Sequence, residues 1–79
     1  MNVENFYLEI KTLTVDLARM GYERESNEIS GAVASGSTGG EIFMHVRILL
    51  SSLICQPKVP NTIHERAAAL VAEINETGW

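Results

Sequence analysis

Cysteine is nearly absent from this 79-residue sequence, in which Cys55 stands alone. A single cysteine excludes an intramolecular disulfide and a cysteine-based zinc site, and it favours a reducing compartment. Basic residues are also scarce, because six Lys and Arg face ten Asp and Glu for a net charge of -4. This balance argues against nucleic-acid binding, which requires clustered Lys and Arg.

Long apolar runs are missing as well. The longest, IFMHVRILL, is interrupted by His45 and Arg47, and it is too short and too polar to cross a bilayer. The first residues, MNVENFYLEIK, lack the basic segment and apolar run of a signal peptide. We therefore expect a cytoplasmic protein that does not enter a membrane.

Aromatic residues are limited to two Phe, two Tyr and one Trp, so the core must be mostly aliphatic. Seventy-nine residues make a single domain, 1–79, and a chain of this size buries only about 60–65% of the surface that its unfolded form exposes. The sequence shows no strand-like alternation and no internal repeat. It predicts an all-α fold, a compact bundle of about four helices.

The first helix is predicted over residues 2–20, with Asn2 as its N-cap and an exposed Asp16–Arg19 pair. Gly21 should follow its end in the left-handed conformation. The apolar stripe comprises Val3, Phe6, Ile10, Leu13, Leu17 and Met20. The second helix is predicted over residues 22–35, and Gly31 within it suggests that a neighbouring helix approaches closely. Its weaker stripe comprises Tyr22, Ser26, Ile29, Ala32 and Val33.

The third helix is predicted from the glycine-rich loop to about Cys55. Because it is apolar on nearly all sides, it should be central and covered on several sides. Pro57 and Pro60 stop it. The fourth helix is predicted over residues 62–76, with Thr62 and Glu65 as a capping box. Its stripe comprises Ile63, Ala67, Leu70, Val71 and Ile74.

The segment GSTGGE, residues 36–41, could cradle a phosphate or start a helix. A Walker-type loop needs a preceding strand, and it needs Lys-Ser/Thr after its last glycine. Here a helix precedes the loop, and Glu41 and Ile42 follow it. We predict that Gly36 ends the second helix, that Thr38 caps the third, and that Glu41 reaches back to the Thr38 amide. A generic anion site at this helix N-terminus is the alternative.

Several side chains are candidates for chemistry. Arg47 lies in the most apolar helix and must be paired if buried, with Glu28, Asp16 or loop carbonyls as candidate partners. His45 and His64 lack metal-ligand spacing, so we predict no metal site.

Possible nucleophiles are Ser37, Ser51, Ser52 and Cys55, none of which stands in a recognisable catalytic setting. We therefore predict that the chain is not an enzyme and binds no cofactor. A helix-turn-helix DNA reader is also excluded, because the apolar third helix lacks groove-reading side chains.

An acidic cluster is the strongest surface feature. Glu23, Glu25 and Glu28 fall within six residues, with Arg24 the nearby opposing charge. A solvated helix face is the ordinary interpretation. The functional interpretation is a patch that docks on a basic protein.

Half of the chain resembles a known class of protein. A Ser-Thr-Gly-x-Glu-Ile…Arg-x-x-Leu pattern is formed by Ser37, Thr38, Gly39, Glu41, Ile42, Arg47 and Leu50. This pattern, the proline-containing turn and the amphipathic last helix resemble small all-α bacterial immunity proteins of contact-dependent inhibition and related polymorphic toxin systems. The resemblance implies a protein that binds and neutralises a toxin domain, often a nuclease, by covering its active site.

We predict such an immunity function, with Glu23, Glu25 and Glu28 as the partner-binding residues and with homo-oligomerisation as a further expectation. The alternative is a small helical structural or oligomerisation module with no toxin partner.

Overall fold

The computed structural model describes residues 3–36 and 39–76, and within these ranges it contains four α-helices and no strand. The predicted all-α four-helix bundle is therefore confirmed. The helices are α1 (Val3–Arg19), α2 (Glu23–Ser35), α3 (Gly39–Ile54) and α4 (Asn61–Glu76). The predicted caps Asn2 and Thr38, and the candidate nucleophile Ser37, lie outside the described residues.

The core is built from one apolar stripe of each helix, as the three-and-four spacing predicts. The fully buried large side chains are Phe6, Leu13, Leu17, Ile29, Val46, Leu50, Leu53, Val59, Ile63 and Ile74. The two end residues of the predicted α1 stripe are not buried, since Val3 and Met20 are 47% and 48% exposed. The core is mostly aliphatic, as expected from the small number of aromatic residues.

Helices that follow one another in the chain pack against one another in the bundle. α1 packs on α2, α2 on α3 and α3 on α4, whereas α1 and α4 touch much less. α1 and α3 lie diagonally across the bundle, where the rings of Phe6 and Phe43 meet edge to face with centroids 5.2 Å apart. α3 thus reaches all three other helices.

The burial of α3 is nevertheless confined to one side. Phe43, Val46 and Leu50 face the core, whereas Met44 and Ile48 are 54% and 59% exposed. The expectation that this helix is covered on several sides is wrong for its outer face. A four-helix ring covers each helix only on the side that faces the core and the adjacent helices, so even an apolar helix keeps an outer face.

The end of α1 follows its prediction. Gly21 has φ +94°, the Tyr22 amide donates to the Leu17 carbonyl at 2.8 Å, and the Gly21 amide donates to the Ala18 carbonyl at 3.1 Å. These two bonds form a Schellman motif, which stops α1 and turns the chain into α2. The buried Ser26 hydroxyl then donates to the Thr14 carbonyl at 2.7 Å and joins the two helices.

Of Gly31 and Gly36, only Gly36 has the role predicted for it. Gly31 is exposed, and a Cβ built there would have no neighbour within 4 Å, so the predicted close approach of another helix is wrong. Gly36 does follow the last residue of α2, in an extended conformation. A Cβ there would overlap with Cγ1 of Ile42, so packing against the start of α3 requires this glycine.

The start of α4 also differs from its prediction. The Pro60 carbonyl accepts from the amides of Ile63 and His64 at 3.0 and 3.1 Å, and the helix begins at Asn61. Thr62 therefore lies inside the first turn, where it cannot be the N-cap. The predicted Thr62–Glu65 capping box is wrong, because Pro60 already occupies the cap position.

Candidate functional site

The acidic residues of α2 point to two sides of that helix. Residues advance by about 100° along a helix, so Glu25 and Glu28 share one side and Glu23 lies well away from them. Glu25 is half-buried, whereas Glu23 and Glu28 are exposed. The structure therefore brings together two of the three predicted residues and separates the third.

Glu25 and Glu28 stand on the rim of a shallow groove between α2 and α3, which we call the acidic groove. It has a volume of about 40 Å³, which is too small to enclose a ligand. It is lined by Glu25, Glu28, Ile29, Leu49, Ser52, Leu53 and Gln56. A shallow surface of this kind suits contact with another protein.

The charge on this rim is only weakly compensated. Arg24 lies 3.6 Å from Glu28, and the two side chains are 87% and 48% exposed. Exposed pairs of this type contribute little to stability, because water screens them and ordering two long side chains costs entropy. Both carboxylates therefore remain accessible to Lys or Arg side chains of a binding partner.

An exposed apolar strip adjoins the acidic groove. Met44, Ile48 and Ser52 follow one another at four-residue spacing and so form a single row along α3. Ser52 lines the groove, while Met44 and Ile48 project large apolar side chains into solvent. We call Met44 and Ile48 the α3 ridge.

Sequence reasoning missed this ridge. The spacing of Phe43, Val46, Leu50 and Leu53 already supplies a complete buried stripe, and that stripe could have shown that Met44 and Ile48 occupy the opposite side.

The predicted structural motif around Arg47 is only partly described. Arg47 is half-buried and donates from Nη1 to Oδ1 of Asn75 at 3.2 Å. The two predicted acidic partners pair elsewhere, Asp16 with Arg66 at 2.6 Å and Glu28 with Arg24 at 3.6 Å. The predicted Asp16–Arg19 pair is wrong for the same reason. Glu41 lies in the first turn of α3, whereas its proposed capping partner is not described.

The candidate catalytic residues are dispersed. Within the described ranges no hydrogen bond joins a serine or Cys55 to a histidine, and Cys55 is a free, exposed thiol. His64 is half-buried at the start of α4 with Nε2 2.8 Å from the Gln56 carbonyl oxygen, and His45 is exposed. No group of three potential metal ligands occurs among the described residues.

Two larger grooves lie elsewhere. One, of about 460 Å³, runs between α1 and α4 where these helices pack least. The other, of about 280 Å³, lies between α1 and α2 beside Tyr7, Lys11 and Val33. Sequence reasoning predicted neither groove, since both depend on how far two helices diverge.

None of the described helices combines the length and apolar character needed to cross a membrane. Comparison with known proteins finds no matching family model, no similar curated protein and no similar solved structure. The surface itself is therefore the basis for a functional interpretation.

Proposed function

We propose that this chain is an immunity-type protein that binds a cognate bacterial toxin domain and neutralises it by covering its active site. The observation that carries the proposal is the α3 ridge beside the acidic groove. Met44 and Ile48 expose more than half of their surfaces, and they lie in the same row of α3 as Ser52, which lines the groove together with Glu25 and Glu28. An apolar patch with a charged border is a common composition for a protein-binding surface.

The partner implied by this surface is a basic domain. Burial of Met44 and Ile48 would supply the apolar centre of the interface, while Glu25 and Glu28 would face Lys or Arg at its edge. A nuclease active site carries such basic groups to bind phosphate. The two carboxylates would stand in for the substrate's phosphates, and the net charge of -4 would speed the encounter.

The alternative function is a helical structural or oligomerisation module with no toxin partner. The gene context distinguishes the two readings. An adjacent upstream gene for a large secreted protein with a variable C-terminal domain favours an immunity protein, and that C-terminal domain is then the toxin to test.

We expect wild-type protein to protect cells that co-express this toxin domain and to bind it more weakly as salt is raised. The double variant Glu25→Lys/Glu28→Lys should lose about 100-fold or more in affinity, because close charge pairs at interfaces contribute more than about 1.5 kcal/mol each. Glu23→Lys is the matched control, since Glu23 lies away from the groove, and it should bind within about tenfold of wild type. Circular dichroism should show that both variants stay folded.

Two outcomes would contradict this proposal. Equal affinity of wild type and the double variant would exclude the acidic groove as the interface. Failure of wild type to bind or protect against the adjacent toxin domain would remove the immunity function and favour the helical module.

A further inference from the structure

The outer face of α1 carries a second exposed apolar row. Leu8 is 62% exposed and Val15 is 47% exposed, and their seven-residue separation places them on the same side of the helix. Glu4 lies four residues before Leu8, and Arg19 lies four residues after Val15, so both charges continue the row. We call these four residues the α1 ridge.

The order of side chains along the α1 ridge is self-complementary. It runs acidic, apolar, apolar, basic. A two-fold axis midway between residues 11 and 12 would place Leu8 opposite Val15 of an antiparallel second copy. The same axis places Glu4 opposite Arg19 of that copy, because these two residues are equally distant from the axis along the helix. All four ridge residues thus meet a suitable partner at once.

The two charges are available for such a contact. Within the described part of the chain, neither Glu4 nor Arg19 forms an ion pair. Asp16 lies one helical turn from Arg19 but is paired with Arg66 at 2.6 Å, which leaves Arg19 facing solvent.

We propose that the α1 ridge is a self-association surface, on which α1 of a second copy packs antiparallel with Leu8 against Val15 and Glu4 against Arg19. The symmetry is isologous, which is the usual arrangement in homodimers. A parallel pair would instead set Glu4 against Glu4 and Arg19 against Arg19, and like charges across an interface are unfavourable. An antiparallel pair centred on Val15 would set Lys11 against Arg19, and one centred on Leu8 would set Glu4 against Thr12, which carries no charge.

The groove between α1 and α4 extends the contact area. Its α1 wall is formed by Asn5, Leu8, Glu9 and Thr12, and its α4 wall by Arg66, Ala69 and Leu70. The approaching helix would therefore meet a mixed polar and apolar surface beyond the ridge itself. Because only one helix and its border are involved, the interface is small, and contacts below about 1,200 Å² are generally weak.

Sedimentation velocity over a concentration series tests the proposal. Wild type should show a reversible monomer–dimer equilibrium. Leu8→Asn should raise the dimer dissociation constant by about tenfold or more, because each dimer loses two apolar contacts. Ile48→Asn is the matched control, since Ile48 is exposed to a similar extent, 59%, on the diagonal helix, and it should dimerise like wild type.

Charge exchange tests the orientation. Glu4→Arg and Arg19→Glu should each weaken the dimer, because each replaces two opposite-charge contacts by like-charge ones. The double variant Glu4→Arg/Arg19→Glu should recover wild-type association, since both contacts are restored with the signs exchanged. All of these side chains are exposed, so circular dichroism should confirm an unchanged fold.

Disulfide trapping tests the register. In a Cys55→Ser background, which removes the exposed native thiol, Leu8→Cys and Val15→Cys proteins are mixed and oxidised. The mixture should form an 8–15 heterodimer. Neither protein alone should crosslink efficiently, because its own thiols would be about 10 Å apart along the helix axis, beyond the roughly 7 Å Cα separation that a disulfide allows.

A wild type that stays monomeric throughout the concentration series would overturn the proposal. So would a dimer that Leu8→Asn leaves intact. Rapid crosslinking of Leu8→Cys with itself would show that the register is wrong.

Discussion

At the scale of single residues, two glycines differ in whether their position requires glycine. Gly21 adopts φ +94° and joins α1 to α2, a conformation that costs other residues about 1–2 kcal/mol. Gly31 lies on the exposed side of α2, where an added Cβ would meet nothing within 4 Å. The first glycine is therefore required by its conformation, whereas the second only weakens its helix.

We expect Gly21→Ala to lower the free energy of unfolding by about 1–2 kcal/mol and Gly31→Ala to raise it by about 0.5–1 kcal/mol, since alanine has the higher helix propensity. Urea denaturation monitored by circular dichroism measures both changes. Equal destabilisation by the two substitutions would show that Gly31 has a packing role that its exposed position does not reveal.

At the scale of helices, the α1–α4 pair is the most loosely packed side of the bundle. Asp16 and Arg66 connect these two helices at 2.6 Å, and their side chains are 27% and 37% exposed. Because Asp16 and Arg66 are partly buried, water screens their attraction less than that of the Arg24–Glu28 pair, in which the charged atoms are farther apart and more exposed. The ion pair therefore compensates for part of the missing apolar contact.

A double-mutant cycle with Asp16→Asn and Arg66→Gln should give a coupling energy of about 0.5–1 kcal/mol in the free energy of unfolding. The corresponding cycle with Arg24→Gln and Glu28→Gln serves as the control. Its coupling should stay below about 0.5 kcal/mol, as is usual for exposed pairs within one helix. A larger coupling for Arg24–Glu28 than for Asp16–Arg66 would contradict this assignment.

At the scale of the whole molecule, the two proposed surfaces lie on helices that face each other across the core. α1 and α3 are diagonal, so the outer faces that carry the α1 ridge and the α3 ridge point away from each other. A dimer formed through α1 would leave the acidic groove of each copy open. Self-association and partner binding should therefore be independent.

We expect Leu8→Asn to protect cells against the toxin domain as well as wild type does, while it lowers dimerisation. Conversely, Glu25→Lys/Glu28→Lys should dimerise like wild type and fail to protect. Sedimentation velocity and co-expression, run on both variants, measure the two properties separately. Loss of both properties in either variant would show that the surfaces are coupled.

Much of the fold could be predicted because its determinants are local. Apolar spacing marked the buried stripes, and Gly21, Pro57 and Pro60 marked the ends of helices within a few residues of where they act. The start of α4 was predicted wrongly because the sequence offers two possible first residues for this helix. Thr62 and Glu65 match a capping box, but α4 begins at Asn61, so Thr62 already lies inside its first turn.

The candidate site could be predicted only in part. Glu25 and Glu28 were found from composition, yet sequence reasoning grouped Glu23 with them because it counted charges and ignored the helical angle between them. The α3 ridge was missed because apolar residues were assumed to be buried.

The number, the approximate bounds and the buried stripes of the helices depend on residues within one or two turns, so they could be read from the sequence. The partners of the side chains and the exposed faces of the helices depend on how distant segments pack, so they became known from the fold alone. Asp16 meets Arg66 across 50 residues and Arg47 meets Asn75 across 28, so no local pattern could identify either pair. Whether an apolar helix is covered depends on how many neighbours surround it. In a ring of four helices the outer sides of α1 and α3 have no neighbour, so Leu8, Val15, Met44 and Ile48 remain exposed.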